Sequence, residues 1–133
     1  MTEHGSRLAA AGRLQQADLP ALVKRAVELC LERNAREPLI LDLRGLSDAT
    51  DFFLIASGDS DVHVRAIAEH MLAGLAEESI RPLGVEGKQT ARWVLVDYID
   101  LVVHVFHPAA REFYQLERLW GDAPMMRAEE PEP

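Results

Sequence analysis

The chain has 133 residues, of which 48% are hydrophobic, with a formal net charge of −8 and a single cysteine. This length suits one domain with its own core, and one cysteine excludes an internal disulfide. The acidic balance excludes a general attraction to nucleic-acid phosphates, which needs clustered Lys and Arg, and favours a basic protein partner.

The distribution of apolar residues favours neither a membrane protein nor a secreted one. No apolar run approaches the length of a membrane span, and the first residues lack the apolar stretch of a secretory signal. We therefore expect a cytoplasmic protein in a reducing compartment, without a membrane partner. Cys30 lies between Leu29 and Leu31, so we expect it to be a buried small hydrophobe.

The first half of the folded region predicts a helix followed by two strands. The helix is predicted from Asp18, with Pro20 in its first turn, and Pro38 ends it or the linker behind it. Short apolar runs at residues 39–43 and 51–57 predict two buried strands, which are separated by turn residues.

The second predicted helix has the clearest amphipathic pattern in the chain. Asp59 or Ser60 is expected to cap its N-terminus. Its apolar residues recur at helical spacing and predict one buried stripe, which consists of Val64, Ile67, Ala68, Met71, Leu72 and Leu75. Residues 81–89 contain one proline and two glycines, and predict a loop.

Residues 92–96 and 101–106 alternate in polarity and predict a β-hairpin. With a two-residue turn at residues 98–99, Trp93 pairs with His104. One face of the hairpin is ordinary core and consists of Val94, Val96, Leu101, Val103 and Val105. The opposite face, here called the ring-rich face, consists of Trp93, Leu95, Asp97, Val102, His104 and Phe106. Large rings mixed with an imidazole and a carboxylate suit a surface that a partner covers.

A third helix is predicted from Pro108 to Gly121, with Phe113, Leu116 and Trp120 on one core-facing stripe. The element order α-β-β-α-β-β-α indicates a small α/β domain with a mixed four-stranded sheet. Three helices cannot easily cover both faces of such a sheet, so part of one face is expected to stay open. An open apolar face of this kind marks an interaction site.

The expected domain organisation has three parts. Residues 1–17 have no strong pattern and are expected to be a flexible lead-in. Residues 18–121 form the domain, and residues 122–133 are expected to be a disordered tail rich in Glu and Pro.

Catalytic and ligand sites have weaker support. Residues 57–61 join a strand to a helix N-terminus, which can bind anions, but Asp59 and Asp61 would repel a phosphate, so helix capping is favoured. A nucleotidyltransferase needs two carboxylates on one side of a strand to hold a divalent metal. The acids available for this role are Asp42, Asp51, Asp59, Asp61, Asp97 and Asp100. The histidines lack the spacing of zinc ligands, and we expect neither a metal nor a cofactor.

Five segments carry a resemblance to a known family. They are residues 50–58 (TDFFLIASG), 85–87 (VEG), 92–98 (RWVLVDY), 102–106 (VVHVF) and 114–122 (YQLERLWGD). In this order they resemble the ribosomal silencing factor family, also called Iojap-like, over residues 19–124. The resemblance implies an α/β fold related to nucleotidyltransferases, without their catalytic acids and without enzymatic activity. Ile99 stands at a turn position where many members have glycine.

The resemblance also implies a function in translation. Family members bind ribosomal protein L-fourteen on the large ribosomal subunit and block joining of the small subunit, which represses translation in starvation. The partner-binding residues that it implies here are Trp93, Leu95, Asp97, Tyr98, His104 and Phe106. No sequence-specific contact with nucleic acid is expected. Two other classes stay open: a metal-dependent nucleotidyltransferase-like enzyme, and an adaptor that forms homodimers through the open sheet face.

Overall fold

The computed structural model describes residues 14–128, except the side chains of Phe113 and Tyr114. The helices of this region are α1 (Ala21–Leu31), α2 (Asp61–Glu77) and α3 (Pro108–Tyr114). Its strands are β1 (Arg36–Asp42), β2 (Phe52–Ser57), β3 (Gly84–Glu86), β4 (Trp93–Asp97), β5 (Leu101–Phe106) and β6 (Met125–Arg127). No helix between residues 14 and 128 combines the length and apolar character that crossing a bilayer requires.

The strands form one mixed sheet in the order β3-β4-β5-β2-β1-β6. β2 and β5 run parallel, whereas the other neighbouring strands are antiparallel. The predicted α/β class, mixed sheet and three helices are confirmed, but the sheet has six strands rather than four. The additional strands, β3 and β6, are three residues long and lie at the two sheet edges. Strands this short show no alternation in the sequence.

The first helix starts later than predicted. Gln16–Asp18 forms a separate 3-10 turn, and Pro20 takes the N-cap position of α1, so the helix begins at Ala21 rather than at Asp18. Proline suits the start of a helix because its fixed φ needs no reorganisation and it has no N–H to leave unpaired.

α1 and α2 cover one face of the sheet. Ser60 caps α2 as predicted, because its Oγ accepts a hydrogen bond from the His63 N–H at 3.1 Å. The predicted stripe of α2 is buried, apart from Leu72, which is half-buried. Cys30 lies in the same core with its Sγ 3.9 Å from the Sδ of Met71, and burial raises the pKa of its thiol to about 12. The prediction that Cys30 is a buried hydrophobe is confirmed.

Within residues 14–128, the helices that pack on the opposite face are α3 and a 3-10 helix (Leu116–Trp120). The prediction of one helix up to Gly121 was wrong, because Gln115 adopts a left-handed conformation with φ +43° and ends α3. Leu116 and Trp120 pack half-buried against this face, as their predicted stripe requires. The side chain of Phe113, the third member of that stripe, lies outside the described residues.

Buried Arg111 connects α3 to the sheet through hydrogen bonds. Its Nη1 donates hydrogen bonds to the carbonyl oxygen of Glu37 at 2.8 Å and to the Oγ of Ser57 at 3.0 Å. Burial lowers the pKa of this guanidinium, and the charge of Glu117 opposes that effect. α3 is thereby held where β1 begins and β2 ends. On the same face, the side chains of β4 are half-buried rather than buried.

Parts of both segments that we expected to be flexible belong to the fold. Leu14 is buried, and its N–H donates to the carbonyl oxygen of Met125 at 3.0 Å. Residues 122–128 are not a tail, because β6 pairs with β1 from Leu41↔Met125 to Leu39↔Arg127. The rest of the two segments, residues 1–13 and 129–133, lies outside the described residues.

The β4–β5 hairpin keeps the predicted faces but not the predicted register. Trp93 pairs with Phe106 instead of His104, which is a shift of two residues. Because side chains alternate with a period of two, such a shift leaves each side chain on its predicted face.

The turn of this hairpin lies at residues 99–100, one residue later than predicted. The N–H of Tyr98 donates to the carbonyl oxygen of Leu101 at 2.8 Å, and the N–H of Asp100 donates to the carbonyl oxygen of Tyr98 at 2.9 Å. Ile99 has φ +77°, in the left-handed region that favours glycine and is costly for a β-branched residue. The Oδ1 of Asp97 accepts from the Ile99 N–H at 2.7 Å and helps to hold this conformation.

We expect Ile99→Gly to raise the free energy of unfolding by about 1 kcal/mol. Relief of about 1–3 kcal/mol of backbone strain outweighs the entropic cost of glycine, which is up to about 1 kcal/mol. Ile99 is 59% exposed, so the substitution loses little apolar burial. Chemical denaturation measures the change. Leu83→Gly is the matched control, since Leu83 is also exposed but has no positive φ, and it should be neutral or destabilising. A less stable Ile99→Gly protein would contradict the strain.

Candidate functional site

The ring-rich face lies on the side of the sheet opposite α1 and α2. The register places all six predicted side chains there, in the pairs Trp93 with Phe106, Leu95 with His104, and Asp97 with Val102. The alternate residues of the two strands are buried beneath the helices: Val94, Val96, Leu101, Val103 and Val105. The predicted division of the hairpin into two faces is therefore confirmed.

The residues of the ring-rich face differ in how much of each is exposed to solvent. Trp93, Leu95 and Asp97 on β4 are half-buried, so part of each side chain reaches the surface. On β5, His104 is 3% exposed and Phe106 is 0% exposed. Val102 of β5 is also half-buried. The surface is thus formed by the three β4 side chains and Val102, and the two buried rings of β5 lie below it.

His104 is the centre of an aromatic cluster, defined here as Phe53, Trp93, His104, Phe106 and Trp120. The centroid of the imidazole lies 4.5 Å from that of Phe53, 5.8 Å from that of Trp93 and 6.2 Å from that of Phe106. The rings of Trp93 and Phe106 are 5.0 Å apart, and those of Phe53 and Trp120 are 6.1 Å apart. Trp93 of the surface thus packs against two rings of β5, and Phe53 connects His104 to Trp120 of the 3-10 helix.

Phe53 belongs to this site, although it was not among the predicted site residues. The parallel pairing of β2 with β5 places Phe53 beside Val102, and the order of strands in a sheet cannot be read from local patterns. The available signal was the alternation within residues 51–57, which puts Phe53 and Ile55 on one face. Both residues pack on the side that α3 covers in part.

A hydrogen bond joins the two polar rings of the cluster. Nε1–H of Trp93 donates to Nδ1 of His104 at 3.0 Å. The accepting nitrogen is unprotonated, so this bond assigns the proton of the neutral imidazole to Nε2. Nε2 is buried and has no hydrogen-bond partner within the described part of the chain. Burial lowers the pKa of His104 to about 4, and the ring is therefore neutral at pH 7.

Tyr98 lies apart from the other residues that the resemblance selected. It is 6% exposed and belongs to the core beneath α1 and α2 rather than to the ring-rich face. Burial, with a smaller contribution from the charge of nearby Cys30, raises the pKa of Tyr98 to about 12. The structure gives this residue a packing position.

Two of the acids considered as ligands of a catalytic metal form ion pairs with arginine. Asp42 pairs with Arg44 at 2.7 Å, and although burial opposes ionisation, the hydrogen bonds from Arg44 hold the pKa of Asp42 below its ordinary value. Asp59 pairs with Arg36 at 3.1 Å, and hydrogen bonds from that guanidinium lower its pKa. Between residues 14 and 128, no three His, Cys, Asp or Glu side chains come together as a metal site requires.

The turn between β2 and α2 has the contacts of a helix cap. Ser60 Oγ accepts from the His63 N–H, and Nδ1 of His63 accepts in turn from the Asp59 N–H at 2.8 Å. These bonds use amide hydrogens that a bound phosphate would need. The geometry supports the predicted capping role of this turn.

Comparisons with known proteins agree on one family. A family model described as "Ribosomal silencing factor during starvation" matches residues 16–133. The "Ribosomal silencing factor RsfS" of Bacillus subtilis is 46% identical over 105 residues, which are 79% of this chain and 89% of that protein. The mouse protein "Mitochondrial assembly of ribosomal large subunit protein 1" is 32% identical over 97 residues, which are 71% of this chain and 42% of that protein.

The fold comparison gives the same result. A crystal structure of a protein from Chromobacterium violaceum superposes with a TM-score of 0.74 at 33% sequence identity. The superposition covers 84% of this chain and 88% of that chain, so the similarity extends over most of both chains rather than over one motif.

Proposed function

The chain belongs to the ribosomal silencing factor family, and on that premise we propose that it binds the large ribosomal subunit and sterically prevents the small subunit from joining. Translation then falls when nutrients are limiting. The match of the family model over residues 16–133 carries this proposal. Steric exclusion requires a stable complex at the joining face and no catalytic step.

Two observations favour the large subunit as the partner, namely the name of a relative and the net charge of this chain. The mouse relative is named for assembly of the ribosomal large subunit. A net charge of −8 suits a basic component of that subunit, since complementary fields speed the encounter and fix its orientation. We infer that this component is ribosomal protein L-fourteen, as the family resemblance implies.

We further infer that the accessible part of the ring-rich face is the docking surface. Trp93 and Leu95 present apolar area there, and Asp97 adds a carboxylate that suits a basic partner. Tryptophan is enriched among the residues that dominate binding energy, because it buries a large area at a low entropic cost. His104 and Phe106 support this surface from below, whereas Tyr98 contributes to the core.

Sedimentation with purified ribosomal subunits tests the proposed function. The added protein should sediment with the large subunit and reduce the re-formation of joined ribosomes, because a bound domain at the joining face excludes the small subunit. Sedimentation with the small subunit alone would contradict the proposal. A dimer of the chain that binds neither subunit would contradict it as well, and would favour the adaptor instead.

A further inference from the structure

The imidazole of His104 is an unusual occupant of a buried position in the sheet. It is 3% exposed, it is surrounded by the rings of Phe53, Trp93 and Phe106, and its Nε2 has no hydrogen-bond partner among residues 14–128. Burying a polar group without a partner costs stability, whereas an apolar side chain of similar volume would avoid that cost. Packing alone therefore does not explain a histidine here.

The hydrogen bond that the His104 side chain accepts comes from a residue that reaches the surface. Nδ1 of His104 accepts from Nε1–H of Trp93 at 3.0 Å, and Trp93 is half-buried, with part of its indole accessible. Phe106 packs 5.0 Å from the same indole. A ring contact limits the plane of the indole, but a directional hydrogen bond also determines which edge of the ring faces inward.

We propose that His104 is a positioning residue of the docking surface, which holds the indole of Trp93 in its binding orientation through Nδ1 and does not itself touch the partner. This inference rests on the proposed function of the ring-rich face. A side chain that is already fixed in its bound orientation loses less entropy when the complex forms, so the bond increases affinity without adding a contact.

Two substitutions at one position separate the hydrogen bond from the volume of the ring. His104→Leu removes the acceptor and keeps most of the volume, and it should weaken binding to the large subunit about 5-fold, which corresponds to one hydrogen bond. It should not lower the melting temperature at pH 7, because it also removes the unpaired Nε2–H. His104→Asn is the matched control, since its Oδ1 can take the place of Nδ1, and its affinity should stay close to that of the wild type.

A double-mutant cycle with Trp93→Phe distinguishes positioning from direct contact. Trp93→Phe removes the donor, so His104→Leu should have no further effect on affinity in that background. An equal loss of affinity in both backgrounds would overturn the proposal, because His104 would then act on the partner independently of Trp93.

Measurements on the free protein provide a readout that needs no ribosome. The chain has two tryptophans, so in a Trp120→Phe protein the indole N–H signal in NMR spectra belongs to Trp93. That proton should be protected from exchange, and the protection should be lost in His104→Leu and kept in His104→Asn. Equal protection in all three proteins would overturn the proposal.

Binding of the wild type to the large subunit separates the role of His104 from the proposed function. A wild-type protein that does not bind the large subunit overturns the docking function and, with it, the role of His104. A wild-type protein that binds, together with an unchanged affinity of His104→Leu, overturns the role of His104 alone.

Discussion

Replacing Trp93 with alanine should weaken binding to the large ribosomal subunit by about 30-fold, which is about 2 kcal/mol. Trp93 is the largest side chain of the ring-rich face that reaches the surface, beside Leu95 and Asp97 on the same strand. Truncation removes its apolar area from the interface, and it also removes the group that His104 holds in place. Titration of the protein against purified large subunits measures the loss.

Val94→Ala is the control from the same strand. Val94 is 0% exposed and lies beneath α1 and α2, so the substitution leaves a cavity in the core. It should lower the free energy of unfolding by about 1–3 kcal/mol and leave the affinity of the folded protein unchanged. The melting temperature of both variants must be measured together with their affinity. Trp93 also contacts Phe106, so the loss of the indole will lower the stability of the protein to some extent.

The pair of variants tests the two faces of β4 against each other. If Val94→Ala alone loses binding and Trp93→Ala alone melts at a much lower temperature, the accessible face is not the docking surface. The prediction depends on the alternation of the strand, which places adjacent residues on opposite sides of the sheet.

The elements whose apolar residues recur at a regular spacing could be predicted from the sequence. The stripe of α2 recurs at helical spacing over three turns, and the alternation of β4 and β5 decides which of their side chains share a face. Both predictions are confirmed, since Ile67 and Met71 are fully buried and Trp93 faces the side opposite Val94. A shift in register left this result intact because it was a shift of two residues.

The features that depend on distant parts of the chain could not be predicted. β6 forms because Met125–Arg127 pairs with the edge of β1, which lies more than eighty positions earlier in the chain. A segment of three residues is too short to show a periodic pattern of its own. Phe53 enters the aromatic cluster through the parallel pairing of β2 and β5. Tyr98 is a different case, because it follows Val94 and Val96 at the period of two and lies with them in the helix-covered core. The alternation therefore predicted its side, and only the family resemblance selected it as a partner-binding residue.

Acidification should destabilise the protein through His104, with the free energy of unfolding falling by about 3 kcal/mol as the pH drops from above 6.5 to about 4. In the unfolded chain the imidazole binds a proton near its ordinary pKa of 6.5, whereas burial lowers the pKa of the folded state to about 4. Between these values only the unfolded state takes up the proton, which favours unfolding. Above pH 6.5 both states are neutral at this position, so the stability it confers is fully present.

Denaturation curves of the wild type and His104→Asn over this pH range isolate the contribution. Asparagine does not titrate, whereas the other ionisable groups are the same in the two proteins, so the difference between the two pH profiles belongs to position 104. The stability of the wild type should fall more steeply between pH 6.5 and 4. Parallel profiles would contradict a buried, neutral imidazole.

The protonation state of His104 also determines whether Trp93 keeps its orientation on the docking surface. A protonated imidazole has no lone pair on Nδ1 and cannot accept the hydrogen bond from Trp93. With a pKa of about 4, only about one molecule in a thousand is protonated at His104 at pH 7. The aromatic rings that contact the imidazole within residues 14–128 belong to Phe53, Trp93 and Phe106, and none of them is ionisable. The residues paired with His104 on the neighbouring strands, Leu95 and Ile55, are not ionisable either. The contribution of His104 to large-subunit affinity should therefore stay constant between pH 6 and 8, and an affinity difference between the wild type and His104→Leu that vanishes within this range would contradict it.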